Sequence, residues 1–522
     1  MFDLMIRGGT LIDGTGQARR TADVAVNHDR IAAIGQLAGA TAHRTIDAAG
    51  LCVAPGFVDV HNHDEGWLLR ERHLLHKTTQ GFTTEILMSD GISYAPLEPE
   101  TARDWIYYLR SLDSLLPSHY SGWRTVADYL ALLDRSNVQN TAALVPYANL
   151  RVLACGWGRA PADDAQVNVM RRECQRALDG GAVGLSTGLD YISECFATTD
   201  ELVRVVEVMA PFGAPYVTHV RYKRGTLWGV QEAVEIGRRA GVPVHISHLK
   251  SGSPRETDEL LTYIDQVAVH EVDFSFDIYP YLPGSTLLCS LLPYEVWEQG
   301  PLSAPAMLRD PLVRRRFDEL MRCYPLPLEQ ITIAWVGSHD NQSLVGMSLA
   351  EVVARSAVSV GDALADLLLD EMFAVLTVFH VGDDRLVEPF LKHPRQMVGS
   401  DGIWFPTGRY HPRATGTATR ILGPLVRERK LFSLEEAVFK LAGFPAQRFG
   451  LTDRGVIREG AFADLVVFDA ERVTDLATYD QPQRLSVGIA HLIVNGTPVL
   501  EEGQPVAAAA QNPPGRALRF RE

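Results

Sequence analysis

The chain has 522 residues, 46% of them hydrophobic and 22% charged, the balance of an ordinary soluble globular protein. A formal charge of −15 argues against nucleic acid and anionic membrane surfaces as partners, and no apolar run reaches the length of a membrane span. The length exceeds a single small core, so one large domain with a satellite is expected. The six cysteines, Cys52, Cys155, Cys174, Cys195, Cys289 and Cys323, form no CxxC pair. Residues 1–7 carry no basic segment followed by a long apolar one, so the expected compartment is the cytoplasm.

The first 50 residues alternate apolar and polar positions between glycine-rich turns, the pattern of short antiparallel strands. Residues 460–469 and 488–496 repeat it near the other end. Neither end has enough strands to close a sheet alone. The two are expected to pair as a small discontinuous β-sandwich domain, residues 1–54 with 456–522.

Between them, buried strands alternate with amphipathic helices. Strands are predicted at 81–88, 140–146, 181–186, 215–219, 243–248, 272–277, 374–379 and 396–401, with helices such as 200–209 and 226–240. With the apolar run before His61 this makes eight or nine strands. They suit an α/β fold of the (β/α)8 TIM-barrel kind over residues 55–455. Residues 287–346 break the repeat and carry many charges. They are read as an insertion over the barrel mouth, a lid.

The densest chemical signal is Val53-Ala54-Pro55-Gly56-Phe57-Val58-Asp59-Val60-His61-Asn62-His63. On a strand, residues i and i+2 share a face, so both imidazoles can converge on one metal ion. A TIM barrel builds its active site at the C-terminal strand ends. His61 and His63 end the first strand and Asp90 follows the second. His219 ends the fifth, His248 the sixth and Asp401 the eighth. Each has a bland alternative: Asp90 and Asp401 both precede glycine, a common turn dipeptide. His245 cannot face inward together with His248 and is read as a packed residue. Imidazoles and carboxylates together favour zinc, as one or two ions, with manganese as an alternative.

Further motifs carry a family resemblance. They include Gly91-Ile92-Ser93-Tyr94-Ala95-Pro96-Leu97, Gly184-Leu185-Ser186-Thr187-Gly188-Leu189-Asp190-Tyr191 and Ile246-Ser247-His248-Leu249-Lys250. Asp277-Ile278-Tyr279-Pro280-Tyr281, Gly399-Ser400-Asp401-Gly402 and His411-Pro412-Arg413 continue the series. With the Asp13-Gly14-Thr15-Gly16 turn and the segment ending in His63, these resemble the amidohydrolase superfamily and, within it, the N-acyl-D-amino-acid deacylases (D-aminoacylases). The resemblance spans essentially the whole chain.

It implies hydrolysis of the amide of an N-acyl-D-amino acid by metal-activated hydroxide. Asp401 would be the general acid and base, and Tyr191 would hydrogen-bond the substrate carbonyl. Tyr279 and Ser285 match carboxylate-contacting positions, with Tyr281 a rival to Tyr279. Lys250, two residues past His248, and Arg413 would add cations at the site mouth, whereas Lys223 reads as surface charge.

One position departs from the pattern. The family's Asn-Cys-Gly, whose cysteine ligates zinc, is Ser89-Asp90-Gly91 here. Asp90 is therefore expected to replace the cysteine as a ligand and to favour up to two ions. The alternatives are a cyclic amide hydrolase of the dihydropyrimidinase or dihydroorotase type and a dipeptidase for D-residues. The former commonly bridges two metals with a carboxylated lysine, and residues 181–188 contain none. The expected partner is a small-molecule amide, with a homo-oligomer allowed for.

Overall fold

The computed structural model describes residues 1–521. Eight short parallel stretches form its centre: Phe57–Asp59, Phe82–Leu87, Asn140–Ala143 continued by Val145–Pro146, Leu185–Gly188, Tyr216–His219, Val244–Ile246, Phe274–Asp277 and Gln396–Met397. Each pairs in parallel with the next. A parallel bridge between Asn62 and Gly402 joins the last to the first and closes the barrel. Helices cover the outside, so the strands are buried on both faces and read as apolar runs rather than alternating ones.

The helices follow their local signals. Thr226–Ala240 forms as predicted and ends at Gly241, whose φ of 71° suits a residue without Cβ. The segment predicted at 200–209 is the helix Thr199–Val206 followed by a 3₁₀ turn, Glu207–Met209. The Thr198 hydroxyl caps it, accepting from the Glu201 N–H at 3.1 Å.

Both chain ends enter one nine-stranded sheet. Cys52–Pro55 lies antiparallel to Leu465–Phe468 and ties the ends together. This sheet has a core of its own, with Leu4, Ile6, Val24, Leu465, Val467 and Ile493. The apolar run 53–60 is therefore shared between two sheets and breaks at Gly56. A Cβ there would lie 2.3 Å from the Thr83 side chain, so only glycine lets the chain cross.

One predicted barrel strand belongs elsewhere. Val375–Phe379 runs antiparallel between Gly284–Leu287 and Ile331–Val336 in a separate three-stranded sheet. The non-barrel segment thus spans 284–379, wider than the expected 287–346. An apolar β-branched run has the same local pattern in either setting, because sheet membership depends on partners far away in sequence. Among the described residues no helix is long and apolar enough to cross a membrane.

Candidate metal centre

His61 and His63 lie beyond the first strand, which stops at Asp59, so regular strand alternation does not aim them. Loop hydrogen bonds do. The His63 N–H donates to Gly402 O at 3.1 Å and the Asp401 N–H to His61 O at 2.7 Å. The Asn62 side chain donates to Ile86 O at 3.1 Å. The two rings end with centroids 5.6 Å apart.

Asp90 sits among the histidines. Its Oδ1 is 3.5 Å from His61 Nε2, 3.6 Å from His248 Nε2 and 4.0 Å from His219 Nδ1, and its Oδ2 is 3.7 Å from His63 Nε2. Asp401 Oδ1 lies 3.3 Å from His63 Nε2 and 3.7 Å from His61 Nε2. Three groups of potential ligands have their atoms within 4.8 Å of one another, and two of them, His61–Asp90–His248 and His61–His63–Asp401, share His61; the third is His63–Glu65–Asp113. Both His61 ring nitrogens and Asp90 Oδ1 are buried without a hydrogen-bond partner. Buried polar atoms normally have partners. An imidazole–carboxylate set left open in this way fits a divalent cation.

The electrostatics point the same way. Burial alone would lower the His61 pKa, yet the Asp90 and Asp401 carboxylates raise it well above the ordinary value. Burial likewise opposes protonation of His63, but its hydrogen bonds with Asp113 and Asp401 push it up to about 10. Against their own burial, Asp90 is held well below the carboxylate range by His61 and His248, and Asp401 by Arg413 and His61. The carboxylates draw positive charge into the cluster, a role protons and a metal ion compete to fill.

The Asp90 turn is held tightly. Asp90 has φ 56°, His248 φ 38° and Asp401 φ 48°, left-handed conformations that side-chain-bearing residues seldom adopt. Ser186 Oγ donates to Met88 O at 2.5 Å and accepts from the Gly91 N–H at 3.2 Å, which brackets Asp90 from both sides. The turn expected at Asp90-Gly91 is present, and the same turn places the Asp90 carboxylate among the imidazoles.

An outer ring of oxygens faces the imidazoles. Asp113 Oδ1 is 3.1 Å from His63 Nδ1, the Tyr222 hydroxyl 3.3 Å from His248 Nδ1, and Asp190 Oδ2 3.5 Å from His219 Nε2. Asp277 Oδ1 accepts from the His248 N–H at 3.0 Å, and its Oδ2 is 2.9 Å from His245 Nε2. His245 is thus packed behind the site, as predicted. Sequence reasoning gave none of these oxygens a role. Asp190 and Asp277 directly follow or end barrel strands and could have been found by that placement. Asp113 and Tyr222 carry no such signal.

The cluster opens into a cavity of about 570 Å3 lined in part by Tyr191, Lys250, Tyr279, Ser285 and Arg413. Arg413 NH1 donates to Asp401 Oδ2 at 2.8 Å and to the Tyr279 hydroxyl at 2.5 Å. Lys250 Nζ also donates to that hydroxyl. Burial and the Arg413 guanidinium bring Lys250 down to about 7. Ser285 Oγ donates to Thr377 O at 2.7 Å, and the Tyr191 hydroxyl meets Thr286 Oγ1 at 3.3 Å. Tyr281 instead bonds Asp475 at 3.3 Å, which leaves Tyr279 in the cavity. Lys223 is exposed, donating to Ser290 O at 3.1 Å.

The comparisons agree with this architecture. The amidohydrolase family matches residues 44–278 and 337–500, and the chain belongs to that family. It is 36% identical to the D-aminoacylase of Alcaligenes xylosoxydans xylosoxydans, covering 96% of this chain and 95% of that protein. The N-acyl-D-glutamate deacylase of the same organism is also 36% identical, with 99% and 96% covered. The crystal structure of the N-acyl-D-glutamate deacylase of Bordetella bronchiseptica, solved with zinc and a phosphonate mimic of the tetrahedral intermediate, superposes with a TM-score of 0.84. It is 35% identical and covers 99% of both chains.

Proposed function

We propose that this protein is a metal-dependent hydrolase that removes the acyl group from N-acyl-D-amino acids. The observation that carries the reading is the placement of two ligand groups sharing His61 next to a Lys250–Tyr279–Arg413 cluster suited to a carboxylate. His61, His63, Asp90, His219 and His248 would hold one or two divalent ions, zinc first. A divalent ion supplies Lewis acidity towards an amide carbonyl and towards water at neutral pH. Asp90 in place of a thiolate is a harder ligand, and a carboxylate can lie between two ions, which favours a second ion or manganese.

Asp401 is the proton carrier. It takes the proton of the attacking water and hands it to the leaving amine nitrogen. Arg413 holds one Asp401 oxygen, leaving Oδ1 facing the histidines. The Tyr191 hydroxyl hydrogen-bonds the scissile carbonyl oxygen and keeps its proton. The α-carboxylate binds at Lys250 and Arg413, with Tyr279 and Ser285 beside them. Because Arg413 touches both Tyr279 and Asp401, the carboxylate is fixed at a set distance from the proton carrier.

In this reading the barrel, residues 55–455, carries the chemistry, and the paired ends, 1–54 with 456–522, form a small β-domain. The inserted segment acts as a lid over the mouth. Six unpaired cysteines support a reducing compartment such as the cytoplasm. The test is metal analysis with a screen of N-acetyl-D-, N-acetyl-L- and cyclic amide substrates. Turnover of the D-compounds with bound metal supports the proposal; turnover of cyclic amides alone overturns it.

A further inference from the structure

We infer that the substrate's amino-acid side chain is apolar, and that a second carboxylate on it is rejected. The inference rests on the reading of the site as an N-acyl-D-amino-acid deacylase. Relatives named for acidic substrates and for D-amino acids in general are equally similar to this chain, so the lining of the cavity has to decide.

Among the described residues lining the cavity, Lys250 and Arg413 are its lysine and arginine. Both donate to the one Tyr279 hydroxyl, so they form a single locus with room for one carboxylate. The remaining donations of Lys250 Nζ go to Leu282 O at 3.1 Å and Pro283 O at 3.3 Å, and Arg413 NH2 donates to Ser285 O at 3.1 Å. Three of the cavity hydroxyls are committed as well. Ser285 bonds Thr377 O, Ser251 bonds Thr257, and Tyr222 bonds Ser247 O.

The wall next to the locus is hydrocarbon. A Cβ on Gly284 would lie 3.7 Å from Lys250 Nζ and 3.9 Å from the Tyr279 hydroxyl, and Gly284 pairs across the sheet with Phe379. Phe379 therefore stands beside the carboxylate position, with Leu282 and Val381 around it. The Tyr324 ring, 6.5 Å from Phe379, extends this surface into Pro325 and Leu326 of the inserted segment. With the carboxylate at the locus, the α-carbon's other substituent meets this wall. The acyl group then lies on the side of the metal cluster, where His63 also lines the cavity. A carboxylate on the side chain would be desolvated at the wall without a lysine or arginine to pair with.

The experiment measures kcat/KM of the metal-loaded enzyme on N-acetyl-D-leucine, N-acetyl-D-phenylalanine, N-acetyl-D-glutamate and N-acetyl-D-aspartate. The apolar pair should exceed the acidic pair by about 100-fold. Equal or higher rates on the acidic pair would overturn the inference while leaving the deacylase reading intact. If none of the four turns over, the deacylase reading fails. The same compounds titrated as ligands into the metal-loaded protein then decide the inference by whether leucine binds more tightly than glutamate. A variant fixes the location. Leu326→Arg, at a partly exposed position, should raise kcat/KM on N-acetyl-D-glutamate and raise KM for N-acetyl-D-leucine, each about tenfold. No gain on glutamate would remove Leu326 from the side-chain wall.

Discussion

Asp113 Oδ1 lies 3.1 Å from His63 Nδ1, while Nε2 of the same ring faces Asp401 Oδ1 at 3.3 Å. The outer bond fixes which nitrogen carries the proton, leaving the Nε2 lone pair for a metal ion. Removing it in Asp113→Ala should weaken zinc affinity about 10–100-fold, read by competition with a chelator. Asp113→Asn keeps an acceptor oxygen and should lose less. Unchanged affinity in the alanine variant would mean that other groups orient His63.

Asp90 is the position at which this chain departs from the family pattern. Folded Asp90→Ala should bind at least one fewer metal ion per chain than the parent, measured by elemental analysis. Undiminished metal would reduce Asp90 to a turn residue.

Asp401 belongs to one of the ligand groups and is also held by Arg413, so its two roles must be separated. Asp401→Asn should keep bound metal and lose about 10²–10⁴-fold in kcat, the usual worth of a positioned proton carrier. Loss of one metal equivalent would reassign it as a ligand.

His73, partly buried beside Thr78 at 2.9 Å, has its pKa pulled by burial down to about 4. Between pH 4 and 6.5 the unfolded chain binds more protons than the folded one. Stability is therefore full above the unfolded value and falls as the pH drops towards 4. Acidification from pH 7 to 5 should cost the parent about 1–2 kcal/mol more than His73→Gln. Parallel unfolding curves for the two proteins would refute the assignment.

Much of the site was legible because barrel chemistry sits at strand ends, and local patterns mark those ends. His219 ends the fifth strand, His248 follows the sixth and Asp401 the eighth, as their apolar runs indicated. Tyr279 against Tyr281 was left open by sequence. The bond from Tyr281 to Asp475, 194 residues away, turns Tyr281 aside and leaves Tyr279 lining the cavity.

What the sequence determined by itself was local: where chain segments are buried, which turns need glycine, and which strand ends carry imidazoles and carboxylates. Only the tertiary structure decided which sheet each apolar run joins. It moved Val375–Phe379 out of the barrel and divided the run 53–60 at Gly56. It also closed the barrel through Asn62 and Gly402, and so aimed His61 and His63 from a loop. The physical reason is that periodicity records burial alone. Hydrogen-bond partners and ring orientations are set by groups such as Asp113, which reach the site from 50 residues away and leave no mark on the local pattern.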